Sequence, residues 1–400
     1  MQLKVDIDRE RLADWFGEDA IHRLPEQALP AVLTHAPTRR LLTEVGLPRG
    51  GGGFLRFDTD PDLLLQPLAT RLDGPSVGAG HLLVLGAVQR DWLVLDGVSG
   101  QVALAGTSYD QPAQVVLDVL AGDLSVVLLF LHELAGLRAG AADPAAHGGR
   151  RGPAVVAEVT GALAQRMRAV DPAVFEPSGM APYWSAAVLA SGLRWAARPG
   201  DLLAYEITPE LVAELGEVRP VRAPDLPAAL SHEPTRRLLT TVGLPTTDHL
   251  WGDQVLPLAT LRESDPWYAE PDAEIERAHQ LDHLWLGDTA YDCQVVLDGQ
   301  RGHLEVTVGD GDEDWPAAWL HADLSAYYLT LWVLTRLRAE ALRWTTLHTP
   351  ADWQVFTPVD LFQEAALQLI AEIDPSAVQD ETSFWNALAD DGHMGGLLGG

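Results

Sequence analysis

The sequence predicts an α+β protein made of two tandem homologous domains, each a mainly antiparallel sheet flanked by N- and C-terminal helices. Three observations predict this class. Long segments of the first half recur in the second half, each half contains short extended stretches joined by glycine turns, and helical patterns lie before and after those stretches. Helices at both ends of a hairpin-built sheet are typical of α+β domains.

The duplication is visible directly in the chain. LTHAPTRRLLTEVGLP at 33–48 returns as LSHEPTRRLLTTVGLP at 230–245, identical at 13 of 16 positions. The same register joins VLDGVSG at 94–100 to VLDGQRG at 296–302, the DLS-initiated apolar segment 123–139 to 323–339, and the tail 170–173 to 373–376, ahead of Trp184 and Trp385. A match over this length indicates a duplicated module, so we predict domains at 1–200 and 201–400.

Two helices are predicted at the start of the first copy. Asp8 is a candidate N-cap for a helix that runs to about Phe16 and ends at Gly17. PTRRLLTEVG predicts the second helix, with Pro37 in its first turn, Gly46 as a left-handed cap and Pro48 preventing continuation. Its predicted buried stripe is Leu41, Leu42 and Val45. Arg39 and Arg40 are left on its flank, where solvent or a carboxylate contacts them. In the second copy, Thr208 and Pro209 start the first helix, which ends at Gly216.

Antiparallel strands are predicted next. In the first copy they are FLRFD at 54–58, HLLVLGAV at 81–88, DWLVLDG at 91–97 and QVALAG at 101–106; in the second they are HLWLGD, QVVLDG and HLEVTV. The turn DGVSG allows Gly97 or Gly100 to take a positive φ, as a hairpin bend requires.

An apolar helix of about fifteen residues follows the strands in each copy. Asp123 or Ser125 is its candidate N-cap in the first copy, and Asp323 or Ser325 in the second. Two more predicted helices close each module, around 153–168 and 182–196.

Composition excludes several classes of protein. The single cysteine, Cys293, rules out an intrachain disulfide and a multi-cysteine zinc site, and a buried thiol is its expected state. We find no run of about 18 apolar residues and no signal-peptide pattern at the start, so we expect a cytoplasmic protein without membrane contact. Nearly half of the residues are apolar, which disfavours disorder.

Charge differs sharply between the copies. Residues 1–200 hold 17 basic and 22 acidic residues, a net charge of −5, whereas residues 201–400 hold 10 and 35, a net charge of −25. Two copies of one fold with such different fields must differ at their surfaces. Phosphate would be repelled by the second half, so we expect a basic protein partner and no nucleic acid. A role in solubility alone is the alternative reading of this charge.

The order of these signals resembles the SUKH superfamily, and most closely its fourth group, the immunity proteins of bacterial polymorphic-toxin systems. The resemblance rests on RRLLTEVGLP at 39–48, Leu85–Gly86, LDGVSGQV at 95–102 and the helix from Asp123, and in the second copy on RRLLTTVGLP at 236–245, Leu286–Gly287, LDGQRGHL at 297–304 and the helix from Asp323. It covers about two thirds of each half. The resemblance implies a non-enzymatic protein that binds a cognate toxin domain, often a nuclease or nucleic-acid deaminase. The second copy departs from the pattern in TTDHLWGDQVL after Pro245 and in a long insert.

Candidate catalytic motifs are incomplete. His132 and Glu133 lack the second histidine of a zinc-protease helix, the glycines at 50–53 are not followed by Gly-Lys-Ser/Thr, and Cys293 has no counterpart in the first copy. The acids of DGDED lack the ligand spacing of a calcium loop. We therefore expect no catalytic residue, no metal and no cofactor.

Acidic residues around aromatic residues in the second copy are the candidate toxin-binding surface. Carboxylates steer a basic partner and aromatic rings supply desolvated contact area. The predicted residues are Glu263, Asp265, Trp267, Tyr268, Glu270, Asp272, Glu274 and Glu276 in one segment, and Asp310, Asp312, Glu313, Asp314 and Trp315, ahead of Trp319, in the other. The alternative is that the tryptophans are core residues and the acids form a solvated loop.

The sequence thus predicts an immunity protein that binds and neutralises a basic toxin by occluding its active surface. The rival hypothesis is an intracellular scaffold or regulatory adaptor in which two related modules bridge two endogenous proteins.

Overall fold

The structure is a computed structural model that describes residues 6–49, 55–58, 60, 63–72, 78–88, 91–107, 114–175, 182–246, 257–264, 268, 277–290, 293–307, 317–347, 357–391 and 396–398. Its backbone divides into two compact units. The first comprises Met1–Ala146, Ala157–Gly192 and Arg343–Leu361, and the second comprises His147–Val156, Leu193–Leu342 and Phe362–Gly400. The domain boundary near residue 200 stays a prediction.

Helices and short strands alternate along the chain. The α-helices are α1 (Arg9–Phe16), α2 (Ala36–Arg40), α3 (Leu124–Ala142), α4 (Pro153–Val170), α5 (Pro172–Phe175), α6 (Pro182–Gly192), α7 (Pro209–Ala213), α8 (Glu233–Thr241), α9 (Leu261–Ser264), α10 (Leu324–Leu347), α11 (Pro358–Ile373) and α12 (Phe384–Asp390). The strands are β1 (Ile21–His22), β2 (Leu47–Pro48), β3 (Arg56–Phe57), β4 (Leu82–Val88), β5 (Asp91–Asp96), β6 (Val102–Thr107), β7 (Val115–Ala121), β8 (Glu217–Arg219), β9 (Leu244–Thr246), β10 (Leu284–Asp288), β11 (Gln294–Leu297), β12 (Leu304–Val306) and β13 (Trp319–His321). The α+β class is confirmed.

The first unit contains a five-stranded antiparallel meander in the order β3-β4-β5-β6-β7. The predicted strands lie in it, but β7 was missed by sequence reasoning. Its sequence, VVLDVLA, carries Asp118 in an apolar run and has no hairpin signal before it. Pairing with β6, for example Gly106 with Val116, makes it a strand, and pairing is a tertiary effect.

The second unit repeats the plan with a four-stranded antiparallel sheet in the order β10-β11-β12-β13. The predicted strands are present, and β13 was again missed because three residues, Trp319–His321, carry too little periodicity. A register shift lies at Trp285/Gly287 in β10 and at Val84/Gly86 in β4. The Leu-Gly pairs that the copies share therefore mark matching irregularities.

The predicted start of the first copy is confirmed, with one correction. Asp8 accepts a hydrogen bond from the Arg11 amide at 2.8 Å and caps α1. After α2 the chain widens into a π-helical turn, Leu41–Val45, which ends at Gly46 with φ of 107°. The predicted buried stripe is wrong in part, because Leu42 is fully buried whereas Leu41 and Val45 are half-buried. The π-turn widens the spacing of side chains, so they no longer share one face.

Within each copy, the segment that contains the TRRLLT motif contacts the hairpin turn that contains the LDG motif. The amides of Thr34 and His35 donate to the Gly97 carbonyl at 2.8 and 3.0 Å, and those of Ser231 and His232 donate to Gly299 at 2.8 Å each. The next glycine of each turn has a positive φ, 83° at Gly100 and 85° at Gly302, and packs on the histidine ring. The two longest repeats therefore encode one structural unit, a loop held on a hairpin turn.

The predicted caps of the apolar helices are also confirmed, although the helices are longer than about fifteen residues. Asp123 accepts the Val126 amide at 3.1 Å, and Asp323 accepts the Ala326 amide at 3.0 Å. The repeated tail aspartates support the same junctions: Asp171 accepts the Gly122 amide at 2.8 Å and Asp374 accepts the Ala322 amide at 2.7 Å.

Helix α3 contributes buried apolar side chains to the core of the first unit. Phe130 packs edge-on against Trp184 of α6, with ring centroids 5.0 Å apart, and the Trp184 indole donates to the Leu120 carbonyl at 2.7 Å. Within the described residues, α3 is the one helix that is long and apolar enough to cross a membrane, and half of its most apolar window is buried. Core helices of soluble proteins also meet that criterion, so this is weak evidence for a span.

Candidate interaction surface on the second sheet

Each sheet contains a row of paired residues at matching positions, and the two rows differ in chemistry. In the first sheet the row is Val84, Val94, Ala103 and Val119. In the second it is Trp285, Val296, Glu305 and Trp319. Val84, Val94 and Ala103 of the first row belong to an apolar cluster with Leu68 and Leu82, and Val119 at its end is exposed, whereas the second row has a carboxylate at its centre.

Glu305 is buried, with 8 % of its surface exposed, and carries three side-chain hydrogen bonds. His303 Nε2 donates to its Oε1 at 2.9 Å, and His279 Nε2 and Gln280 Nε2 donate to its Oε2 at 2.9 and 2.8 Å. Burial alone raises the pKa of the Glu305 carboxyl, but these hydrogen bonds outweigh it and lower the pKa to about 2. Glu305 is therefore ionised at neutral pH inside a cage of donors.

His283 lies at the rear of this cluster. Its Nδ1 is 4.0 Å from Glu305 Oε2, and its Nε2 is 3.8 Å from Asp298 Oδ2. Burial lowers the pKa of His283, and the two carboxylates oppose that effect only in part. The imidazole is thus neutral at neutral pH.

Trp319 forms the outer edge of the row. Its ring stacks on the His303 imidazole, with centroids 5.0 Å apart and planes at 9°, and its Nε1 donates to Ser376 Oγ at 3.0 Å. We call Glu305, His279, His303 and Trp319 the second-sheet cluster. Sequence reasoning assigned no role to its first three members; the alternation of His303 and Glu305 on a strand was the available signal.

The two acidic segments predicted to bind toxin rejoin the second sheet at the same end. The Tyr268 hydroxyl donates to Gln294 Oε1 at 2.6 Å, and Arg277, which follows the first segment, donates to the Val306 carbonyl at 2.6 Å. The second segment leaves β12 at Thr307 and returns at Ala318, whose carbonyl accepts the Val306 amide at 2.7 Å. The structure therefore brings the anchors of two segments that are separated in sequence to one corner.

Most of the predicted toxin-binding residues lie outside the part that the structure describes. They are Asp265, Trp267, Glu270, Asp272, Glu274, Glu276, Asp310, Asp312, Glu313, Asp314 and Trp315. Of the two described, Tyr268 is half-buried and bonded as above. Glu263 is exposed and accepts the Thr260 amide at 3.1 Å and the Thr260 hydroxyl at 3.0 Å, which caps α9. Their role in binding stays a prediction.

A cavity of about 510 Å³ lies in the first unit, lined by the π-turn and the start of α3, including Arg40, Asp123 and Ser125. In the second unit the matching cap groups are engaged by the chain itself. Asp323 Oδ2 accepts the Ala204 amide at 2.6 Å, and Ser325 Oγ accepts the Tyr205 amide at 2.9 Å. The matching position of the second copy thus binds backbone amides of the chain itself.

The other candidate motifs have structural surroundings where they are described. His132 stacks on Trp15 at 4.3 Å and burial lowers its pKa, while Glu133 pairs with Arg166 at 2.8 Å. Cys293 is buried. No group of three or more His, Cys, Asp or Glu side chains in the described ranges could hold a metal ion. The glycines at 50–53 lie outside those ranges.

Comparison with known proteins identifies the family. The model of the SUKH-4 immunity protein family matches residues 7–190 and, a second time, residues 208–391. No curated protein and no solved structure matches the chain. The resemblance predicted from the repeated motifs is therefore confirmed in both copies. Because the two matched regions cover most of its length, the chain belongs to the SUKH-4 immunity protein family, as two tandem copies.

Proposed function

We propose that the chain neutralises a basic toxin by covering the toxin's active surface with the acidic second copy. Membership in an immunity family implies a cognate toxin as partner. A toxin that acts on nucleic acid needs a basic surface to hold phosphate, so an acidic protein competes for that surface. We expect the complex to form in the cytoplasm.

The observation that carries the proposal is the shared corner of the second sheet. Two segments with ten acidic residues between them, at 263–276 and 310–314, rejoin the sheet beside Gln294 and Val306. The half that contains them has a net charge of −25. Charge concentrated in this way speeds encounter with a basic partner and disfavours acidic ones.

The test is affinity purification of the tagged full chain from its native host at low and high salt. We expect a basic toxin domain that co-purifies at low salt and is released as salt rises, because screening shortens the range of charge attraction. An affinity that does not change with salt would contradict the electrostatic mechanism. Recovery of endogenous housekeeping proteins in place of a toxin would favour the adaptor hypothesis.

A pair of matched variants locates the binding surface. The test variant neutralises the second acidic segment with Asp310→Asn, Asp312→Asn, Glu313→Gln and Asp314→Asn. The control neutralises four exposed acids of the first copy, Asp6→Asn, Glu10→Gln, Asp14→Asn and Asp19→Asn. Both remove the same net charge. We expect the first variant to lose toxin and the second to retain it; equal losses would mean that net charge, and not this surface, drives capture.

A further inference from the structure

Trp319 is an unusually exposed aromatic side chain. Large hydrophobic residues that are exposed in the described part of the chain are Val98, Val119, Leu202, Trp319 and Leu342, of which one is aromatic. Trp319 is 37 % exposed, whereas Trp184, Trp332 and Trp385 are 1 % exposed or less. An exposed tryptophan on a sheet edge is a typical anchor of a protein interface.

The Trp319 ring is held in place before any partner arrives. His303 covers one face of the indole, and Ser376 accepts its Nε1 hydrogen at 3.0 Å. Behind the stack, Glu305 holds the His303 ring through Nε2. A side chain whose rotamer is already selected loses little entropy on binding, so this ring is prepared for contact.

Carboxylates lie on two elements next to Trp319. Glu305 is the strand partner of Trp319, and a hydrogen bond of 2.7 Å from the Ala317 amide to the Thr382 carbonyl holds the 380–382 segment against the residues just before β13. That segment carries the exposed carboxylates of Asp380 and Glu381. The face of an aromatic ring attracts cations, and adjacent carboxylates strengthen the attraction.

Elsewhere the chain places its own arginines over aromatic rings. Arg11 lies 4.9 Å from the Trp15 centroid, Arg151 lies 4.6 Å from that of Trp195, and the described contacts of this kind also include Trp332 and Trp344. Among the described residues, no arginine lies over Trp319. Its outer face is the position that a partner's cation would take.

We propose that Trp319 anchors the partner at the shared corner of the second sheet, where it receives an arginine guanidinium of the partner. A guanidinium is planar and weakly hydrated, so it stacks on an indole better than the compact ammonium of lysine. The proposal rests on the proposed function and adds to it the residue and the ligand chemistry. The first copy has Val119 at the matching position, opposite Ala103, and offers no such anchor.

The test uses two probes of equal charge, hexa-arginine and hexa-lysine peptides, titrated by calorimetry into the full chain at low salt. We expect tighter binding of hexa-arginine. Trp319→Ala should weaken hexa-arginine binding about five- to thirty-fold and abolish the preference over hexa-lysine. Trp319→Phe should retain part of the preference, and Val119→Ala, the matched control, should leave both affinities unchanged.

A second measurement follows the wild-type chain and uses the conservative variant Trp319→Phe only to assign one resonance. The indole Nε1–H resonance of Trp319, assigned by its absence from Trp319→Phe, should shift when hexa-arginine is added to the wild-type chain. If that resonance does not move, or if Trp319→Ala binds both peptides as the wild type does, the anchor is wrong. In that case, weaker binding of both peptides by the neutralised 310–314 variant would still support the proposed function, because the acidic segment would contribute to binding without Trp319. Failure of the wild type to bind either peptide would contradict both proposals, the role of Trp319 and the role of the acidic second copy.

Discussion

The matching rows of the two sheets show how a duplicated fold can carry two surfaces. Val94 and Val296 hold the same position in the same hairpin, yet the neighbour of the first is Ala103 and that of the second is Glu305. The backbone register is unchanged, because it depends on main-chain pairing and on the shared glycine turns. The difference teaches that the shared motifs specify the scaffold and that the residues between them specify the surface.

The polar row is possible because its donors are supplied by another element. His279 and Gln280 lie on the 3-10 turn Ala278–Asp282, which covers Glu305. A buried carboxylate without donors would be strongly destabilising. In the first copy the corresponding space is filled by apolar side chains such as Leu68 and Leu82.

The largest effect is expected when the polar centre is moved into the first copy. Ala103→Glu puts a carboxylate, without donors, among Leu82, Val84 and Val94, and should lower the free energy of unfolding by about 3 to 5 kcal/mol. Urea denaturation followed by tryptophan fluorescence measures it. Gln101→His, the partly exposed neighbouring change, should stay within about 0.5 kcal/mol of the wild type. If Ala103→Glu were tolerated as well as Gln101→His, the inferred difference between the apolar row and the polar row would be wrong.

The reverse change should have a somewhat smaller effect. Glu305→Ala leaves His279, Gln280 and His303 without their shared acceptor and should cost about 2 to 3 kcal/mol. Adding His303→Gln recreates the pair found in the first copy, Gln101 and Ala103, and should recover part of the loss, since this pair is accommodated at the matching strand positions there. Denaturation of the single and double variants measures the coupling, and strict additivity would show that the cluster does not act as a unit.

Elements that the copies share should respond equally. Gly100→Ala and Gly302→Ala each place a Cβ at positive φ within 2.1 and 2.2 Å of a histidine Nδ1, and we expect a loss of about 2 kcal/mol for each. Gly136→Ala, on α3 with open space around its Cβ, is the control and should be neutral or slightly stabilising. Thermal unfolding measures all three, and a large difference between the matched glycines would contradict equivalent turns.

The smallest expected effect is a pH dependence of stability that comes from Asp91 in the first sheet. Burial, with Asp118 and Asp360 nearby, raises the pKa of Asp91 to about 6. The folded state then binds a proton that the unfolded state releases, so stability falls as pH rises from the ordinary value of 3.8 towards 6 and stays lower above it. Asp91→Asn should therefore stabilise the chain above pH 6, by about 1 kcal/mol after solvent screening, and have little effect below pH 4.

Glu305 supplies the contrast in sign. Its pKa is lowered to about 2, so its contribution is present above the ordinary value of 4.5 and is lost as pH falls towards 2. Denaturation of Asp91→Asn and Glu305→Gln across this range should give opposite slopes relative to the wild type. Parallel slopes would show that the two carboxylates do not differ as their surroundings indicate.

Local chemistry accounts for the parts of the fold that could be predicted. Asp8 and Asp123 cap helices within three residues of themselves, and Gly46 and Gly100 satisfy a backbone angle that few other residues adopt. Strands β7 and β13 were missed because they exist through pairing with β6 and β12. The buried stripe of the second helix was misjudged at Leu41 and Val45 because the sequence does not reveal the π-turn.

The candidate site divides in the same way. Acidic composition and its unequal division between the copies were evident from the chain, as was the family resemblance in both halves. The second-sheet cluster was not, because His279 and Glu305 are 26 residues apart and meet only when a 3-10 turn packs on β12. Likewise, nothing local places Ser376 against Trp319, 57 residues away.

By itself, then, the sequence determined the duplication, the caps and turns of each copy, the α+β class and the charge asymmetry, because each depends on neighbours along the chain or on composition alone. Tertiary structure decided which polar side chains converge on Glu305 and that Trp319 is exposed while its ring stacks on His303. It also decided that two acidic segments, distant in sequence, join the same end of a sheet. These follow from strand pairing and from packing across the sheet, which join residues that the chain keeps far apart.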